Sequence, residues 1–291
     1  MREQLPAIHS DFFSKFPDCL NLEHRVNPVA LSEKQRTQAS FGYEWTKFAQ
    51  YSVDNFSLFI QPLEQGFLEN KFGLDVGCGA GRHVRQATAL GAEIVGFDLS
   101  HAIDIARSAN DNNPRAHFVQ GDVFNLPFRQ GMFDFIYSLG VLHHLPNPEQ
   151  GFQHLVPHLK QEASIFIWTY QRTKRKELLE LVRPITTRLP LEGIKALSWL
   201  ATVVDYGLFV NCYRLFQRYE RIAALVPSRI KEYASYDFLS SYTDWFDRLS
   251  APLSNFYNEE EIHAWFRRAG LSNITTSLVE DSWVWGKGSR G

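Results

Sequence analysis

Cysteine is scarce in this chain. Cys19, Cys78 and Cys212 are the only three among 291 residues; their odd number and wide spacing argue against a disulfide framework or a cysteine-built zinc cluster. The usage fits a reducing cytoplasm, and no metal is expected. An excess of one charge is also missing. With 30 Lys and Arg against 32 Asp and Glu, the formal charge is −2, so no overall field collects nucleic acid or acidic membrane. Long unbroken apolar runs are absent as well. Arg2, Glu3, His9, Asp11 and Lys15 break up the start of the chain, which is unlike a signal peptide. The most lipid-like stretch, residues 196–213, is interrupted by Asp205, and the charge-free runs on either side fall far short of the roughly 20 residues of a membrane span. It reads as a buried or lid helix without stable membrane insertion; a helix resting on a membrane surface is the lesser alternative. Neither repeats nor low-complexity tracts occur.

What is present is apolar and aromatic: 44% hydrophobic and 14% aromatic residues suffice for a large core. The most legible part is residues 72–170, where short apolar runs alternate with segments of helical period, the pattern of a parallel sheet covered by helices. Strands are expected at 72–76, 93–98, 116–120, 133–137 and 163–169. Between the first two, residues 82–90 read as a helix closed by Gly91; between the next two, Ser100 opens a helix over 101–110. Residues 1–71 form an expected helical cover with Phe41, Tyr43, Trp45, Phe48, Tyr51 and Phe56. Residues 171–255 form a helical insertion dense in Arg and aromatics. Residues 256–291 return with a helix at 258–269 capped by Gly270 and two strands near 273–278 and 282–287. The fold expected is α/β, a Rossmann-like doubly wound sheet with a helical cover and a helical lid.

The chemistry concentrates at three strand ends. Leu74-Asp75-Val76-Gly77-Cys78-Gly79-Ala80-Gly81-Arg82 is a strand running through three alternate glycines into a helix. Glycine there lets the backbone turn sharply and approach a ligand. Some 20 residues on, Phe97-Asp98-Leu99-Ser100 places an acid at the end of the second strand, where it can accept both hydroxyls of a ribose. After the third strand, Gly121-Asp122-Val123 offers a carboxylate and a backbone N–H to an adenine edge. A nicotinamide site is the competing reading, but its G-x-G-x-x-G fingerprint needs glycine where Arg82 stands.

With these residues in hand, the chain resembles the class I S-adenosylmethionine-dependent methyltransferases. The resemblance runs through 74–82, 97–100, 121–128 and 133–148. Phe133-Asp134-Phe135-Ile136 and Val141-Leu142-His143-His144-Leu145 are most similar to the branch holding the ubiquinone and menaquinone C-methylases and many small-molecule methyltransferases. It implies a seven-stranded mixed sheet and S-adenosylmethionine as methyl donor. Asp75, Gly77, Gly79 and Gly81 would then surround the methionine part and Asp98 the ribose. Leu99 would pack on the adenine, Asp122 and Val123 would read its edge, and Ser138 and Leu139 would pass beside the sulfonium.

Two side chains are catalytic candidates. His143 as a neutral imidazole can take a proton near pH 7, although packing or gating competes with that reading. Tyr170, ending the fifth strand, can orient an acceptor, or can be a plain β-forming aromatic. Arg172, Lys174, Arg175 and Lys176 can draw an anionic acceptor or solvate a helix start. The aromatic insertion is where acceptor specificity is expected, suited to a small apolar, aromatic or sugar-like molecule. An RNA or protein methyltransferase on the same fold is the rival enzyme, disfavoured because Ser138-Leu139-Gly140-Val141 stands where such enzymes carry an Asn-Pro-Pro-Tyr or Asp-Pro-Pro-Tyr motif. A non-catalytic binder or sensor of the nucleoside is the rival from another class.

Overall fold

The computed structural model describes residues 31–48, 56, 60, 66–173, 182–279 and 283–291. Cys19, Tyr51 and the basic residues Lys174, Arg175 and Lys176 singled out above lie outside them. The sheet is built from β1 (Phe72–Val76), β2 (Glu93–Asp98), β3 (Ala116–Gln120), β4 (Phe133–Leu139), β5 (Leu159–Tyr170), β6 (Leu271–Val279) and β7 (Trp283–Arg290). Their order is β3-β2-β1-β4-β5-β7-β6. The first five are parallel; β7 pairs antiparallel with β5, Ser164 opposite Ser289 through Tyr170 opposite Trp283, and with β6. The mixed seven-stranded sheet expected from the sequence is therefore present. Its order reverses between β1 and β4, and a crevice opens beyond the carboxyl ends of strands at such a switch point.

Strand alternation sends neighbouring residues to opposite cores. Leu74, Val76, Ile136, Ile165 and Ile167 face one layer, with Phe152, Trp265 and Phe266. Phe135, Tyr137, Phe166 and Trp168 face the other, with Val84, Ala87, Ile103 and Ala106. The first layer is covered by α4 (Pro148–Leu155) and α10 (Glu259–Arg268), the second by α2 (Arg82–Ala89) and α3 (Ala102–Ala109). Asn258 and Glu261 form a reciprocal capping box that starts α10. The sequence reading placed β1, β2 and β3 at their observed bounds. It ended β4 two residues early, began β5 four residues late, and left α4 unassigned. Pro148 at the first turn was its available start signal.

A third cluster joins the flanking segments. α1 (Leu31–Lys47) is followed by Phe48, which packs with Ile194, Phe246 and Leu249 from α5 (Leu191–Val204) and α9 (Phe238–Ser250). The Ser40 hydroxyl donates to the Ser250 carbonyl (3.2 Å), and Tyr43 stacks on Phe246. Between α5 and α9 run α6 (Asn211–Phe216), α7 (Glu220–Leu225) and α8 (Ser228–Ser235). Asp205 does not break the apolar stretch. The helix passes through it in a π-turn, Asp205–Val210, so Leu191–Phe216 is one helix of 26 residues, long and apolar enough by length and composition to cross a membrane. The acid is tolerated because it turns inward and accepts a bond from Trp245 Nε1 (2.8 Å).

Candidate functional site

The crevice at the switch point is walled by Gly77, Asp98, Leu99, Asp122, Val123 and Leu139 from the strand ends. Thr37, Gln38, Phe41 and Trp45 of α1 close it from above, and Val141, His144 and Leu145 from one side. The three strand ends expected to converge do so. Their loops are tied together by Asp98. Gly79 N–H donates to its Oδ2 (2.9 Å), while Ser100 N–H and Ser100 Oγ both donate to its Oδ1 (2.7 Å each). Burial, though opposed by these bonds, pushes the Asp98 carboxyl above its ordinary range. Three bonds leave part of the carboxylate's acceptor capacity for a ligand hydroxyl. Asp122 Oδ1 accepts from Phe124 N–H (3.1 Å), which fixes the third loop.

The glycine turn is forced at two places. Gly77 has φ +79°, and a Cβ on it would lie 2.3 Å from Val141 Cγ2; Gly79 has φ +51°, and a Cβ there would lie 2.7 Å from Trp45 Cε2. Both positions need the missing side chain as well as the left-handed backbone. Trp45 thus sits directly on the glycine loop. Gln38 Nε2 donates to the Leu99 carbonyl (3.1 Å), anchoring α1 to the second loop. Asp75 is fully buried beneath the turn, beside Tyr137; burial drives its carboxyl well up, opposed by the Tyr137 hydroxyl.

Other anticipated residues stand behind the wall. Ser138 is completely buried and donates to the Val76 carbonyl (3.1 Å), so its side chain binds β4 to β1 instead of facing the crevice. His143 is also completely buried, its ring 3.9 Å from that of Tyr170 and 4.1 Å from that of His144. The Tyr170 hydroxyl donates to Asp247 Oδ2 and is directed away from the crevice. His144 is the histidine of the pair that reaches the wall, its ring tilted against that of Phe41 (centroids 4.8 Å apart). Its Nδ1 lies 2.6 Å from the Leu253 carbonyl. A carbonyl only accepts, so Nδ1 carries the hydrogen and Nε2 keeps its lone pair, 4.0 Å from Asp247 Oδ1. Burial lowers the His144 pKa, which keeps the ring neutral. Asn255 holds this turn by donating from its backbone N–H and side-chain amide to the His143 carbonyl (2.8 and 3.0 Å). Among the described residues no crevice-wall residue comes from the aromatic insertion, which reaches the site through α1 and through Asp247, Leu253 and Asn255, which hold the His143-His144 turn. The adjacent His143-His144 pair could have pointed to either ring, but nothing in the sequence could have revealed Thr37 or Gln38.

A family model described as a methyltransferase domain matches residues 74–167, the segment from the glycine turn to the end of β5. The match and the relatives support a class I S-adenosylmethionine-dependent methyltransferase. Among relatives of this methyltransferase, the ubiquinone biosynthesis O-methyltransferase of Rickettsia conorii is 25% identical over 208 residues, 62% of this chain and 71% of that one. The tRNA U34 carboxymethyltransferase of Pseudoalteromonas atlantica is 33% identical over 114 residues, 38% of this chain and 35% of that one. The match thus spans about a third of the tRNA relative's length. A Burkholderia thailandensis 1,6-didemethyltoxoflavin-N1-methyltransferase, solved with 1,6-didemethyltoxoflavin and S-adenosylhomocysteine, shares the fold with TM-score 0.55 at 12% identity, over 93% of each chain. The methyltransferase's own residues fit the donor. Gly77 in the crevice wall and the acceptor capacity of Asp98 beside Asp122 suit the ribose of a sulfonium nucleoside, while Asp75 lies buried behind that wall.

Proposed function

We propose that this chain transfers a methyl group from S-adenosylmethionine to a small molecule, and that His144 is the base when the attacking atom carries a proton. The observation that carries the reading is the roofed crevice: α1 lays Phe41 and Trp45 over the carboxyl ends of β1, β2 and β4, leaving a narrow, largely apolar slot beside His144. Such a slot suits a flat apolar, aromatic or sugar-like acceptor better than a folded nucleic acid. The donor supplies an electrophilic methyl group on a sulfonium. Asp98 and Asp122 hold the nucleoside; the Gly77 turn, with Asp75 buried beneath it and Gly79 and Gly81 shaping it, receives the amino acid; Leu99, Val123 and Leu139 pack along it.

The rest falls to the acceptor side. Trp45 and Phe41 exclude water, so that the nucleophile meets the methyl carbon desolvated and in line. As the acceptor oxygen or nitrogen bonds to that carbon, the carbon–sulfur bond breaks with S-adenosylhomocysteine as the leaving group, and the acceptor's proton passes to His144 Nε2. The Leu253 carbonyl keeps the ring in the tautomer that can receive it, and the Asp247 carboxylate stabilises the resulting imidazolium. Tyr170 acts here as a positioning residue, because its phenol bonds Asp247 and its ring packs on His143.

The test is turnover. Purified protein is incubated with S-adenosylmethionine and a small-molecule extract, and products are sought by mass spectrometry as species heavier by one CH₂. A methylated small molecule supports the proposal. Donor binding by calorimetry with no methylated product from the extract refutes it and leaves a nucleoside sensor. The similarity to the tRNA enzyme favours a second reading, an RNA acceptor; methyl incorporation into RNA at physiological salt, with none into small molecules, would establish that instead.

A further inference from the structure

The Leu191–Phe216 helix presents an apolar face that the described residues do not cover. Only 28% of its most apolar window is buried, and the mean hydropathy there is 1.3. Its inner face, Ile194, Ser198, Thr202 and Val210, is buried against the body of the protein. Outward stand Trp199, Leu200, Leu208, Phe209 and Leu215, which are 52%, 54%, 64%, 50% and 69% exposed. An apolar surface of this extent marks a binding face. We propose that this face docks the protein on an anionic lipid bilayer, the helix lying in the plane of the interface.

Charge and chemistry favour that occupant. From residue 182 to 236 the chain has eight Lys and Arg but four Asp and Glu, although its overall formal charge is −2. One of those acids, Asp205, is turned inward onto Trp245, and another, Glu192, lies beside Lys195 (3.7 Å). Between Lys195 and Arg218 the outward surface therefore offers no acid at all. Exposed Arg188, Arg218 and Arg221 stand beyond the two ends of the helix. An apolar strip bearing Trp and Phe, bounded by cations, is the composition that sinks into the headgroup boundary of an anionic leaflet. Two copies of the chain apposed through this face would instead bring two cationic segments together.

Geometry decides between lying on the membrane and crossing it. The helix is fastened along its length: the Tyr242 hydroxyl donates to the Lys195 carbonyl (3.1 Å), Trp245 Nε1 to Asp205, and the Tyr206 hydroxyl to the Tyr236 carbonyl (2.8 Å). Near its end the Arg214 guanidinium donates to the Ala234 and Tyr236 carbonyls. A helix bound sideways to its own protein from residue 195 to 214 cannot stand upright in a bilayer.

The full chain is sedimented with vesicles of phosphatidylcholine alone or of phosphatidylcholine and phosphatidylglycerol at roughly 3:1. It should pellet with the anionic vesicles, less with the neutral ones, and less as salt rises. The triple variant Leu200→Glu, Leu208→Glu, Leu215→Glu places charge on exposed positions alone. It should lose vesicle affinity by at least about tenfold while keeping its melting temperature and its donor affinity. Arg218→Gln with Arg221→Gln should narrow the preference for anionic lipid without removing the apolar contribution. Failure of the native protein to pellet at low salt overturns the proposal, as does a triple variant that pellets undiminished. A native dimer that the triple variant converts to monomer, with neither binding vesicles, assigns the face to a second copy. Because donor affinity is read separately, a failure here is distinguishable from a failure of the methyltransferase reading.

Discussion

Replacing Gly79 by alanine tests whether α1 rests on the glycine turn as the roof of the site. Two costs arise from the structure. At φ +51° an alanine occupies the left-handed region, at about 1–2 kcal/mol. Its methyl group would also sit 2.7 Å from Trp45 Cε2 and 2.8 Å from Nε1, well inside the roughly 3.5–4.0 Å of ordinary contact, so the indole must move by about an ångström. Overpacking of that kind costs about 1–3 kcal/mol. Gly79→Ala should therefore destabilise the fold by about 2–5 kcal/mol, measured by urea unfolding followed by circular dichroism. The two costs separate in a double-mutant cycle with Trp45→Ala. Removing the indole abolishes the clash but leaves the backbone strain, so the double variant should be more stable than additivity requires by about 1–3 kcal/mol. Donor affinity should fall in Gly79→Ala, because the Gly79 N–H that bonds Asp98 shifts with the loop. Penalties that simply add, within about 0.5 kcal/mol, would refute the contact and with it the roofed site.

Asp98→Asn preserves shape but sets an amide nitrogen against the Gly79 N–H and removes the charge that accepts hydroxyls; the donor's dissociation constant in calorimetry should rise about 10- to 150-fold, roughly 1.5–3 kcal/mol. An unchanged constant would remove Asp98 from the site. Glu44 is buried on α1, and burial together with the charges of Asp247 and Asp244 holds its carboxyl well above the ordinary 4.5. The folded state therefore binds that proton more tightly than the unfolded chain. Its stabilising contribution is complete below pH 4.5 and is lost as pH rises through the folded value. Glu44→Gln should consequently melt above the native protein at alkaline pH, the gap closing toward pH 4.5; melting curves that stay parallel across that range would contradict the buried acid. His144→Gln should lower kcat for an O–H or N–H acceptor by about 10²- to 10⁴-fold with donor affinity unchanged. In the native enzyme the acid limb of kcat should lie below pH 6.5, the ordinary histidine value, since burial lowers this pKa. A limb above 6.5, or one that persists in the variant, would remove His144 as the base.

Much of this architecture was written locally. β1, β2 and β3 could be placed because each is a short apolar run ended by Gly or Asp, and a buried parallel strand leaves little else to read. The glycine turn, Asp98 and Asp122 were legible for the same reason, since backbone conformation and strand-end chemistry reside in consecutive residues. The choice between His143 and His144 was not local. Adjacent residues on one tight turn point to different sides, and only the packing of Tyr170 against one and Phe41 against the other decides which ring meets the crevice.

The sequence by itself determined the sheet, its glycine turn and the acids at its strand ends, because these follow from apolar period and from what glycine alone permits. Tertiary structure decided the rest. It laid Trp45 on Gly79, turned Tyr170 toward Asp247, buried Asp205 beneath Trp245 so that one helix runs unbroken, and left that helix's outer face uncovered by the described residues. Each of these contacts joins residues dozens of positions apart in the chain, whose meeting is set by how whole layers pack and not by any local pattern.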